Sequence, residues 1–511
     1  MSKQEGDPFY LKKIFLGSRN ALIIGPLDER HQSSLQEYQD FLWIADTSSV
    51  LKVGVSSDGA WDVLDISKKN IAEIRFSLQR FLRKDARHLP SIFVSGDVMN
   101  SSANVESLYE ASMGLVFEVF EETHRSRVTR QQDAFSWQSH VLQNAEAFLK
   151  TPLPMEWGNL FKGIPAFVVG AGPSVDVSLG ALVAASGRGF IIASDSVLRK
   201  LVGAGVRVDI CVSIDVAKNP DQCLPDGLEE RSLFILSPVS PPEWQRRVPP
   251  SRRWYAGASQ VTIDWLIEMG AERPALAAVD NCGATAIELA VFLGCEPVCL
   301  FGMDLAVDSR GSRHFESVDE SIYANSGFKS GSILPLVRGN YEEKVPAFDC
   351  GDLRRLGERL ASRKHPIIFN VNDRGAHIDG ARLVHPVDFE NQCPFEYTGC
   401  MSPPDTKSLM NIEQVKGRNE ELILVLREVS RKAVNHLPRL KKSFKKGGSA
   451  ALVADFRQLL QDKQLGRFLG AFSLKLMPHL VPPITSTPGV WESLLLEYEK
   501  LVLMAKRQFD K

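Results

Sequence analysis

Short apolar runs recur between residues 166 and 369, spaced widely enough for a helix between most of them. This alternation narrows the fold more than any other feature of the chain. The runs are Ala166–Val169, Phe190–Ala193, Ile210–Ile214, Ser232–Leu236, Val298–Phe301 and Ile367–Phe369. Their density of Val, Ile, Leu and Phe is that of strands buried on both faces. Strands that alternate with helices need parallel crossover connections. The expected fold class is therefore α/β, with a doubly wound, Rossmann-like parallel sheet. Ligands of such sheets bind beyond the carboxyl ends of the strands, so polar residues that directly follow a strand are the ones to inspect.

The first of these runs ends in Gly170-Ala171-Gly172-Pro173-Ser174. Two glycines let the backbone turn tightly and approach a ligand without a Cβ in the way. Pro173 and Ser174 suit a helix start, where free N–H groups and the helix dipole favour an anion such as phosphate. No third glycine follows, which disfavours a dinucleotide fingerprint, and no Walker lysine follows, which argues against a P-loop ATPase. The alternative is a tight strand-to-helix connection with no ligand. On the ligand reading, Gly172→Val should abolish nucleotide binding and leave the protein folded.

A chain of 511 residues is long enough for two to four domains. We expect an N-terminal α/β domain over 1–155, the sheet domain over 156–392 and an α-helical C-terminal domain over 405–511. Ala21–Pro26 and Ser91–Gly96 read as strands ending in glycine turns, and Ile71–Leu82 as a helix. A helix from about Ser136 to Leu149 leads into the linker Thr151–Pro154. After Pro403-Pro404, helical periodicity covers Ser408–His436, Gly448–Asp462 and Val490–Lys506. The basic cluster Arg439, Lys441, Lys442, Lys445 and Lys446 reads first as a solvated face and second as a docking site.

A net charge of −2 gives no support for nucleic-acid binding. No apolar stretch is long enough to span a bilayer, and the polar start is not a signal peptide. The eight cysteines form no CxxC pair. That pattern fits buried thiols in a reducing cytoplasm and suggests neither a disulfide framework nor a zinc site. A GxSxG elbow and an HExxH motif are both missing.

Asp195 and Asp215 each follow a strand, where a carboxylate can accept sugar hydroxyls or bind a diphosphate-borne metal; an N-cap role is the alternative. Asn281, Gly283 and Thr285 open a second helix and offer a second anion cradle. Val298–Asp304 repeats the strand–glycine–aspartate pattern. Asn372 and Gly375 lie in the turn after the last run. His314, in a polar loop, is the candidate general base, with an expected pKa near neutrality. An exposed histidine with no task is the other reading, and His377 and Glu316 are competitors.

Together these pieces resemble the motility-associated factor family, flagellin glycosyltransferases with an MptE-like central domain. The matching stretches are Val169–Ser174, Ala193–Asp195, Val208–Asp215, Cys282–Thr285, Leu293–Ala306 and Asn370–Gly380. Met303 stands where the family usually has Gln. The central pattern is also similar to that of bacterial sialyltransferases using CMP-activated sialic acid. The resemblance implies transfer of a nonulosonic acid (pseudaminic, legionaminic or sialic type) from a CMP-activated donor to a Ser or Thr hydroxyl of flagellin; the need for a divalent metal stays open. It assigns Gly170, Gly172, Pro173, Ser174, Asp195, Asp215, Asn281, Gly283, Thr285, Asp304, Asn372 and Gly375 to the nucleotide and donor. Two alternatives stay open: a 6-hydroxymethylpterin pyrophosphokinase, with Asp195, Asp215 and Asp304 holding magnesium, and a flagellin-binding protein without catalysis.

Overall fold

The computed structural model describes residues 11–15, 18–25, 27, 35, 38–45, 60–65, 71–82, 90–95, 103–315, 336–347, 350–393, 409, 418–480 and 486–510. Pro26, Gly96, Glu316, Pro403, Pro404 and Ser408 lie outside the described residues. The chain divides into two compact units, residues 1–129 and 130–511.

The first unit holds β1 (Leu11–Phe15), β2 (Ser18–Ile24), β3 (Asp40–Ala45), β4 (Ala60–Asp65), α1 (Ile71–Leu82) and β5 (Pro90–Ser95). Its sheet order is β1-β5-β2-β3-β4, parallel except for the β1–β5 pair. Helix α1 keeps the expected bounds, and Ile74, Leu78, Phe81 and Leu82 pack it on one sheet face. Helix α2 (Ala103–Lys150) runs far beyond the expected Ser136 start.

The second unit is built on an eight-stranded parallel sheet. Its strands are β6 (Ala166–Val169), β7 (Phe190–Ser194), β8 (Ile210–Ser213), β9 (Leu233–Leu236), β10 (Arg253–Tyr255), β11 (Val298–Phe301), β14 (Ile368–Val371) and β15 (Arg382–Val384). They stand in the order β10-β9-β8-β7-β6-β11-β14-β15. The chain winds outward from β6 to β10, then returns to lay β11 on the other side of β6. The β6–β11 junction is therefore the topological switch point, where open α/β sheets bind ligands. The six central strands coincide with the expected runs to within a residue or two. The two edge strands were not expected, because Arg253 and Arg382 break the apolar pattern.

Alternation along the strands sends successive side chains to opposite faces. Phe167 and Val169 of β6 face α3 (Val175–Ala185) and α4 (Leu198–Gly203); Ala166 and Val168 face α6 (Cys282–Phe292) and α7 (Cys350–Ala361). A two-stranded hairpin, β12 (Leu336–Arg338) with β13 (Lys344–Pro346), stands apart from the main sheet.

The C-terminal helices are α8 (Asn419–Gln461), α9 (Lys463–Leu480) and α10 (Pro488–Phe509). They share one apolar core with the sheet, in which Phe456, Phe468 and Tyr498 join the cluster containing Phe167 and Phe301. Buried Gln138 of α2 ties this arrangement together. Its amide nitrogen donates to Thr262 Oγ1 of α5 (Val261–Glu268) at 3.0 Å and to the Phe468 carbonyl at 2.7 Å. Its amide oxygen accepts from the Ala471 amide at 2.8 Å. The helical segment falls within the same compact unit as the sheet, so the composition change near 405 marks no break between compact units.

Candidate functional site

The turn after β6 is held by the segment that follows β11. The Gly170 amide donates to Phe301 O at 2.8 Å and the Gly172 amide to Gly302 O at 2.9 Å. Asp304 Oδ2 then accepts from the Ser174 amide at 3.0 Å and from its hydroxyl at 2.9 Å. A Cβ on Gly172 would run into Asp304 Oδ2 and stand 2.7 Å from Gly302 O, and one on Gly170 would lie 2.8 Å from the Met303 sulfur. The same sulfur would lie 2.6 Å from a Cβ on Gly283. Gly375, at φ 81°, presses against the Asp304 backbone, where a Cβ would come within 2.9 Å. These glycines let three chain segments converge on Gly302-Met303-Asp304. The expectation that Gly172→Val would spare the fold is corrected: the side chain would collide with the protein before it met a ligand.

Asn281 and Thr285 serve the fold of the second helix start. Asn281 caps α6 by accepting from the Ala284 amide at 2.9 Å, and its nitrogen donates to Asp352 at 2.8 Å. The Thr285 hydroxyl donates to Val279 O at 2.9 Å and accepts from the Val279 amide at 3.0 Å. The Asn372 side-chain oxygen accepts from the Arg374 amide at 3.1 Å, within the turn that carries Gly375. Pro173 and Asp304 line a cleft of ≈ 630 Å³ beneath the β12–β13 hairpin.

Beyond β7 and β8 the structure assembles a charged group on the other flank of the glycine turn. Buried Asp195 accepts from Ser196 Oγ at 2.9 Å, from Ser213 Oγ at 2.7 Å and from the Cys282 thiol at 3.8 Å. Asp215 accepts from the Ala217 amide at 2.9 Å. Burial raises its pKa, and the neighbouring Asp195 adds to that while Lys218 opposes it. Burial and Asp215 likewise raise Asp133 of α2. Burial, then Asp195, pushes the Cys282 thiol well up.

His314 is drawn to this group because its neighbour Phe315 donates its amide to Ala171 O in the glycine turn, at 3.1 Å. The Lys200 ammonium lies 4.6 Å from the Phe315 ring centre. Burial, then Lys218 and Arg313, lowers the His314 pKa to about 3. The expectation of a near-neutral pKa is corrected: two cations and a dry setting keep the ring neutral. His377 sits elsewhere, 3.6 Å from Asp379.

Sequence reasoning missed Lys218, Asp133 and Cys282. Lys218 is 5% exposed. A lysine three residues after a strand-end aspartate was its only signal. Asp133 lies on a distant helix and left none. Among the described residues no group of three or more His, Cys, Asp or Glu side chains is placed to hold a metal ion.

Residues 139–310 match the family model described as 6-hydroxymethylpterin diphosphokinase MptE-like. This MptE-like segment contains the glycine turn, β6 to β11 and the whole of α6. The whole chain shares its fold with the Maf glycosyltransferase of Magnetospirillum magneticum AMB-1. That match has a TM-score of 0.52 at 16% identity and covers 98% of this chain and 81% of that one. A mammalian sialyltransferase structure also aligns, at 15% identity over 38% of this chain and 80% of that one, but its TM-score of 0.21 carries no argument. No curated protein sequence matches significantly. Among the described residues no helix is long and apolar enough to cross a membrane.

Proposed function

We propose that the protein is a glycosyltransferase that moves a nonulosonic acid from a CMP-activated donor to Ser or Thr hydroxyls of flagellin. The observation that carries this reading is that two cations, Lys218 and Arg313, act on His314, whose neighbour Phe315 is bonded to Ala171 of the glycine turn. The two cations that lower the His314 pKa in this buried setting also favour an anion there, and a CMP phosphate or a sugar carboxylate is one. The fold shared with a Maf glycosyltransferase is consistent with it.

In this reading the donor phosphate lies between the glycine turn and Lys218. As its bond to the anomeric carbon breaks, oxocarbenium character develops there and the phosphate leaves with the electron pair. Lys218 and Arg313 stabilise that growing charge. The same charge raises the His314 pKa from its low resting value, so that Nδ1 or Nε2 accepts the proton of the attacking hydroxyl. Asp195 and Asp215 are assigned to donor hydroxyls.

The test is mass spectrometry of purified flagellin incubated with the protein and a CMP-nonulosonate. The reading requires a nonulosonate mass increment on Ser or Thr and loses its support if the donor is consumed by neither transfer nor hydrolysis. A second reading, diphosphate transfer from ATP to a hydroxymethyl pterin, is favoured by the description of the matching family model. Magnesium-dependent AMP formation in the presence of that pterin distinguishes it.

A further inference from the structure

The cleft beneath the β12–β13 hairpin differs in charge from the Lys218 pocket. Asp304, Asp308, Glu342 and Asp373 line it against a single lining arginine, Arg374. Arg310 neutralises Asp308 at 2.9 Å and Arg374 neutralises Asp373 at 2.6 Å. Arg374 also acts on Asp304 at the cleft floor, whereas Glu342, exposed in the hairpin turn, has no ion pair among the described residues. Asp304 is 2% exposed, and Asn372 beside it opposes the rise that burial gives its carboxyl. Val307, Leu336, Val345 and Pro346 supply apolar wall between the carboxylates.

We propose that this cleft binds the acceptor polypeptide, as an extended segment whose target Ser or Thr is flanked by lysine or arginine. The inference rests on the glycosyltransferase reading. An anionic nucleotide sugar is repelled by the net negative lining, which leaves the cleft to the other substrate. A basic side chain fits both wall chemistries, its methylene stem on the aliphatic residues and its charge on Glu342. Pro173 ends the glycine turn and lines the same cleft, so a peptide seated there borders the donor's anchoring loop.

The test uses the full-length protein and two fluorescent peptides, acetyl-Ala-Lys-Ser-Lys-Ala-amide and its Glu-flanked counterpart, read by anisotropy, with CMP titrated separately. The wild type should prefer the Lys-flanked peptide by roughly tenfold at low salt, with the preference shrinking as ionic strength rises. Glu342→Lys should reverse the preference, and Glu342→Gln should reduce it by about half on a logarithmic scale, both with CMP affinity unchanged. An unchanged preference in folded Glu342→Lys overturns the proposal. Equal affinity of the wild type for both peptides also overturns it, and leaves the glycosyltransferase reading standing if CMP still binds. Loss of CMP binding by the wild type would instead strike that reading.

Discussion

Asp304 Oδ2 accepts two hydrogen bonds from Ser174, one from its amide at 3.0 Å and one from its hydroxyl at 2.9 Å. The carboxylate after β11 therefore fixes the helix start after β6 across the switch point of the sheet. A charged acceptor makes both bonds strong. Ser174→Ala should cost about 1.5–3 kcal/mol of stability, the range for a hydrogen bond to a charged group. Chemical denaturation of the two proteins measures it, and a loss below about 0.5 kcal/mol would deny the contact its role.

Gly172 meets the same carboxylate. Gly172→Ala should destabilise by about 3 kcal/mol, since neither Gly302 O nor Asp304 can retreat without breaking the turn. A melting temperature equal to that of the wild type would show that the turn is looser than described.

Burial raises Asp304 to about 6, although its bonds to Ser174 work in the opposite direction. Because the folded state holds this proton more tightly than the unfolded one, the associated stability is full below about pH 4 and is lost as pH rises through about 6. Asp304→Asn keeps a carbonyl oxygen for Ser174 and does not titrate. The stability of the variant relative to wild type should improve between pH 4 and pH 7. A difference that stays constant over that window would place the carboxyl's pKa in its ordinary range.

For His314 the sign is opposite. Its folded pKa of about 3 lies below the ordinary value of 6.5, so the associated stability is present above pH 6.5 and declines as pH falls toward 3. His314→Gln should be less acid-sensitive than the wild type in melts between pH 7 and pH 4. Transfer by His314→Ala should fall by roughly a hundredfold or more, the scale of a lost acid–base group, while donor binding survives. Near-wild-type transfer would remove His314 from the mechanism.

Asp215 is held near Asp133 and Asp195, and its pKa is raised. A carboxylate kept among others at a strand end contributes little to folding and is a candidate for ligand contact. Asp215→Asn should melt no lower than the wild type, yet transfer more slowly. A large fall in melting temperature with intact specific activity would make it a structural residue.

The legible part of this molecule was the part coded by local pattern. Apolar runs located β6 to β9, β11 and β14, and Gly170 to Ser174 located a strand-to-helix turn at the switch point. The pattern did not reveal what the turn packs against. Gly170, Gly172, Gly283 and Gly375 read equally well as a ligand cradle, and only the tertiary structure shows them meeting Met303 and Asp304. Asn281 and Thr285 read from sequence as an anion cradle; the structure adds that the Asn281 oxygen caps α6, its nitrogen donates to Asp352 of α7 and the Thr285 hydroxyl bonds Val279. Lys218 and Asp133 gained their meaning from neighbours far away in sequence, which spacing along the chain does not report.

The central claim is that an anionic donor binds at Lys218 beside the glycine turn. Isothermal titration of the full-length protein with CMP, comparing wild type with Lys218→Met, tests it most directly. The account predicts a saturable CMP site in the wild type and affinity about tenfold or more weaker in the folded variant, the scale of a lost buried charge partner. Equal CMP affinity in both proteins, or no CMP binding by the folded wild type, would contradict it.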